Sequence, residues 1–130
     1  MLGEKLGNER GKITGRRVLT DGKVETSFEA SGTILGLEAT EFGTYAAEMR
    51  PDGSLFGSGQ GVLMGKKGER ATWAGSGVGK FNTSGGISFR GAVYYMTDSP
   101  GLARLNGTCA VFEHEVDAQG NVMNNVFEWK

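Results

Sequence analysis

The sequence predicts an all-β protein: a single eight-stranded antiparallel up-and-down β-barrel. Three observations point there. Turn signals recur every 10 to 18 residues along the 130-residue chain. The segments between them alternate apolar and polar side chains with a period of two, and none has a helical period. Eight such strands with no helix to cover them would leave two open edges, and closing the sheet on itself removes both. A two-sheet sandwich is the main alternative. An outer-membrane barrel would need a lipid-facing aromatic girdle and export, and the chain has neither signal.

Residues 1–10 read as a loose lead-in, and 11–130 as one barrel domain. Asp21-Gly22 is a two-residue hairpin signal between Gly11–Thr20 and Lys23–Leu35. A second break lies near Gly36. Pro51-Asp52-Gly53-Ser54 is a turn in which proline presets φ, while Asp52 and Gly53 tolerate the backbone angles that reverse the chain. Gly65–Gly68 and Asn82–Gly86 are the next breaks. Thr97–Gly101 opens the longest connection, and Asp117–Asn121 is the last turn. In the second segment Val24, Thr26, Phe28, Ala30 and Ile34 share a face, opposite Glu25, Ser27 and Glu29. The sixth gathers Ile87, Phe89, Val93 and Tyr95. The eighth gathers Met123, Phe127 and Trp129, a stripe suited to the core or to contact between subunits.

Composition closes several functional doors. A net charge of -1 lacks the footprint of a nucleic-acid or anionic-membrane binder. The single cysteine, Cys109, cannot form an internal disulfide, which suits a cytoplasmic protein. The single histidine, His114, cannot build a histidine metal site, so neither a metal nor another cofactor is expected. On a strand, Glu113 and Glu115 point away from His114, which favours structural or surface roles over an acid–base pair. Asn82-Thr83-Ser84 and Asn106-Gly107-Thr108 read as turn and strand chemistry rather than glycosylation sites. Asn106-Gly107 also matches a tight hairpin turn.

Glycine is the outlier, at 23 residues. Gly57-Ser58-Gly59-Gln60-Gly61 and Gly75-Ser76-Gly77-Val78-Gly79 carry it at alternate positions. Neither run fits a phosphate-binding motif: Gly79-Lys80 is followed by Phe81, with Ala74 where the first Walker glycine belongs. Spacing of two bares one strand face, which permits curvature or leaves room. Four-residue loops at Pro51–Ser54, Gly65–Gly68 and Thr83–Gly86 would put Glu41, Tyr45, Gln60, Trp73, Arg90 and Tyr94 inside. Charged Glu38, Glu48 and Lys80 would then face solvent. On that assignment Arg90, Gln60, Trp73, Tyr45 and Tyr94 are the candidate ligand-binding residues, and Glu41 the candidate catalytic group. An internal Glu41–Arg90 pair that fills the barrel is the structural alternative.

Gly57–Val62, the Ala71–Gly79 strand, Phe89–Tyr95 and the closing Val126–Lys130 resemble small uncharacterised prokaryotic proteins of the allene oxide cyclase-like, calycin-type barrels. The resemblance spans nearly the whole chain. It implies an eight-stranded barrel and, as such barrels often do, a homodimer or homotrimer. Its motifs describe strand packing, and no cyclase residue maps onto this chain. The sequence therefore leads to a small-ligand binding barrel, with a cofactor-free isomerase or cyclase, or a filled structural barrel, as the alternatives.

Overall fold

The structure, a computed structural model, describes all 130 residues. Eight antiparallel strands pair in sequence order and β1 (Leu2–Val18) also pairs with β8 (Asn121–Trp129), so the sheet closes into a barrel. The intervening strands are β2 (Val24–Ile34), β3 (Leu37–Met49), β4 (Leu55–Gly65), β5 (Arg70–Phe81), β6 (Ile87–Met96) and β7 (Ala110–Val116). The first ten residues are not a lead-in. Almost all of them belong to β1, the longest strand, which is hydrogen-bonded on both sides.

Turn chemistry sets the register. Gly68 takes φ +88°, and the Gly65 amide donates to the Glu69 carbonyl at 2.8 Å, so the loop is three residues long. This is the turn in which a left-handed glycine follows two turn residues. The same closure joins Leu19 to Lys23, Arg50 to Ser54, Asn82 to Gly86 and Asp117 to Asn121. The Asp21-Gly22 turn therefore has three residues rather than two. Leu35-Gly36 is the true two-residue turn, with φ positive at both positions.

The long connection before β7 contains a 3₁₀ helix, Pro100–Leu105. Leu102 and Leu105, 1% and 0% exposed, fill one end of the barrel against Leu6, Ile34, Leu63 and Val126. The Asn106 side chain fastens this plug, accepting from the Thr97 amide at 2.9 Å and donating to its carbonyl at 2.8 Å. Asn106-Gly107 thus ends the helix and is no hairpin. No helix is long and apolar enough to cross a membrane.

Candidate functional site

Two carboxyls meet inside the barrel. Glu9 on β1 and Glu41 on β3 are 5% and 6% exposed. The strand between them presents Ala30 and Gly32 in register with Glu41 and Glu9. These small residues leave the space through which the two longer side chains reach each other. Burial raises the pKa of both carboxyls, because a charge is poorly solvated there. Glu9 is pushed up to about 10, first by burial and then by Glu41 beside it. Asn124 donates to Glu41 and supports its charged form, as does the adjacent Glu9, whose Oε2 has no hydrogen-bond partner of normal geometry. The pair holds a proton on Glu9 at neutral pH, and no lysine or arginine acts on either group.

A chain of hydrogen bonds runs from this pair across the interior. The Asn124 amide donates to Glu41 Oε1 at 3.1 Å, and its oxygen accepts from His114 Nδ1 at 2.5 Å. His114 Nε2 then accepts from the Tyr45 hydroxyl at 3.1 Å. Burial lowers the His114 pKa, which keeps the ring neutral and makes it donor on one side and acceptor on the other. Burial also pushes the Tyr45 phenol up to about 12, so it stays a donor. Tyr95, buried near the two carboxyls, is raised well above the ordinary range by burial first and by their charge second. Every donor in the series points towards Glu41. The result is a buried acidic pair to which a chain of donors leads through Asn124.

Glu41 also faces an opening in the barrel interior. The cavity has a volume of about 80 Å³, with Phe28, Phe89, Val93 and Phe112 among the residues around it and Glu41, Tyr45 and His114 on its wall. The alternate glycines of β4 and β5 form one side. Trp73 lies flat over two bare positions: a methyl on Gly61 or Gly43 would stand 2.3 or 2.7 Å from its ring. Gly57 differs, since a methyl there would meet its neighbours at 3.5 Å or more. The first glycines seat the indole, and Gly57 borders usable space. Trp73 Nε1 has no hydrogen-bond partner of normal geometry, although it lies near enough to Glu41 to favour its charged form.

Of the six residues expected inside, Glu41, Tyr45 and Trp73 are brought together here. Gln60, Arg90 and Tyr94 are exposed on the outer wall. The cause is a one-residue slip. Three-residue loops pair Met64 with Arg70 and Val78 with Arg90, so the odd-numbered residues of β4 and β6 point inward. Arg90 therefore pairs with Glu115 and Glu113 on the surface, not with Glu41. Met123, Phe127 and Trp129 lie on the outer wall, among Lys5, Arg10 and Glu115 of the flanking strands. Sequence reasoning missed Glu9, His114 and Asn124. His114 had the signal: it alternates with Phe112 and Val116 on the face that turns inward.

No protein-family model matches the chain, and no curated protein matches it. Solved structures do. A conserved protein of unknown function from Rhodopseudomonas palustris superposes with a TM-score of 0.80 at 12% identity, covering 99% of this chain and 98% of that one. A protein of unknown function from Clostridium acetobutylicum ATCC 824 gives 0.83 at 13%, covering 98% and 99%. A β-barrel-like protein from Acinetobacter baumannii AYE gives 0.81 at 14%, covering 100% and 96%. The likeness is one of fold.

Proposed function

We propose that the barrel is a binding module for one small, compact, largely apolar molecule that donates a hydrogen bond to Glu41. The observation that carries this reading is the cavity itself, whose aromatic lining converges on a buried carboxylate with no cation beside it. Its volume of about 80 Å³ exceeds what one water needs, roughly 15 Å³, and falls short of the ~300 Å³ of pockets for larger ligands. A molecule with a handful of heavy atoms fits that range. Tyr45 and Trp73 remain as lining groups, while the anchoring roles expected of Arg90 and Gln60 pass to Glu41 and His114. A cytoplasmic setting and kinship with the allene oxide cyclase-like barrels are compatible with this reading.

One observation favours a second reading, a cofactor-free isomerase. A carboxylate of raised pKa, shielded from water and next to a protonated partner, has the properties of a general base. Glu41 would take a proton from a bound carbon acid and return it to a neighbouring atom of the same molecule, so that the carboxyl ends the cycle as it began.

Pyrrole and furan distinguish binding at Glu41 from filling of an apolar hole, because they share a shape and only pyrrole donates. In methyl NMR, millimolar pyrrole should shift Val93 and Val126, and furan should bind about tenfold more weakly, the value of one hydrogen bond to a charged group. Glu41→Gln should erase the preference, and Gly57→Val should fill the space and abolish both. Absence of pyrrole shifts, or equal affinities in the wild type, would refute the site.

A further inference from the structure

The buried pair has no counter-ion. Because Glu9 holds a proton, the pair carries one negative charge when Glu41 ionises, and both residues are enclosed. Nothing around them answers that charge. Tyr45 of β3, Tyr95 of β6 and His114 of β7 are neutral at neutral pH. Strand β8 contributes the Asn124 amide, and β2, β4 and β5 turn no ionisable side chain inward. Exposed Arg16 acts on Tyr45 and Glu115 acts on His114, but neither acts on the carboxyls. A buried charge without a partner is costly, so a cation that can enter the cavity is favoured there. Glu41 also has an oxygen to spare: Oε1 accepts from Asn124, while no hydrogen bond of normal geometry reaches Oε2.

The walls suit an organic cation rather than a metal ion. Neighbouring ring centres among Phe28, Tyr45, Phe89 and His114 stand 5.0 to 6.2 Å apart. Trp73 stacks on Phe28 at 6.4 Å. Aromatic faces attract alkylammonium ions lying within about 6 Å of the ring centre. A metal ion would want about four donors or more, and no cluster of three His, Cys, Asp or Glu residues is gathered in the chain. We propose that the molecule held beside Glu41 is a small alkylammonium ion, with its N–H on the carboxylate and its methyl groups against the rings. This rests on the binding role of the cavity and adds a positive charge to its ligand.

Trimethylammonium and tert-butanol are both compact, carry three methyl groups and donate one hydrogen bond. They differ in charge. In methyl NMR at pH 7, trimethylammonium should shift Val93 and Val126 and bind about thirtyfold more tightly than the alcohol, the value of a desolvated cation on aromatic faces. Potassium chloride at the same concentration should shift neither valine. Glu41→Gln should weaken the cation about a hundredfold and the alcohol only about tenfold, because the amide answers a hydrogen bond but not a charge. Circular dichroism of that variant should report a folded barrel, and the wild-type comparison stands without it. If pyrrole is preferred over furan but trimethylammonium binds no more tightly than tert-butanol, the cation is refuted and the binding site stands. Equal shifts from potassium, or equal losses of cation and alcohol in the variant, would also refute the cation. No shift from any organic probe would refute both.

Discussion

Glu9→Gln should make the barrel more stable at pH 8, by about 3–5 kcal/mol, while changing little at pH 4.5. Folded Glu9 holds its proton up to about 10, whereas the unfolded side chain releases it near the ordinary glutamate value of 4.5. The folded state binds more protons between those limits. The contribution of this group is complete below pH 4.5 and is lost as pH rises towards 10. Glutamine keeps the shape and can still donate to Glu41, but has no proton to lose. Wild-type melting temperature should therefore fall with alkalinity from pH 5 to 9, and the variant should flatten most of that slope. Thermal melts across this range measure both effects. A mutant that parallels the wild type at every pH would show that Glu9 ionises freely in the folded protein.

Leu105→Ala should cost about 2–5 kcal/mol, because its side chain is fully enclosed and the plug around it cannot collapse into the void. For a domain of this size that is a drop on the order of 10 °C in Tm. The loss should be the same at pH 5 and pH 9, since no titrating group touches the change. Chemical denaturation at those two values separates this packing defect from the proton linkage at Glu9. A loss below 1 kcal/mol would mean that the 3₁₀ segment does not seal the barrel end.

The strand plan was legible because glycine and asparagine or aspartate punctuate the chain at nearly every hairpin. The faces were less so. Counting four residues in the Gly65–Gly68 and Thr83–Gly86 loops, when Gly68 and Gly85 each end a three-residue turn, reversed β4 and β6. In β6 the apolar set of Phe89, Val93 and Tyr95 already marked the inward face, and burial should have outranked the loop count. β4 was harder to read. Its larger apolar side chains, Phe56, Val62 and Met64, lie outside, while its inward positions between Leu55 and Leu63 are glycine. Strand β4 defeats the usual pattern because its large apolar side chains face outward and its inner wall must clear Trp73. Glu9 was invisible for a different reason: a glutamate among Asn8 and Arg10 near a terminus carries no local sign that two strands will enclose it.

The most direct test of the buried pair is a ¹³C NMR titration of the glutamate side-chain carboxyl carbons, with Glu9→Gln and Glu41→Gln to assign the resonances. The account predicts one carboxyl that stays protonated through neutrality and titrates near pH 10, with its partner also displaced upward. Two resonances that both titrate at the ordinary value of solvated glutamate would contradict it and leave the cavity without its base.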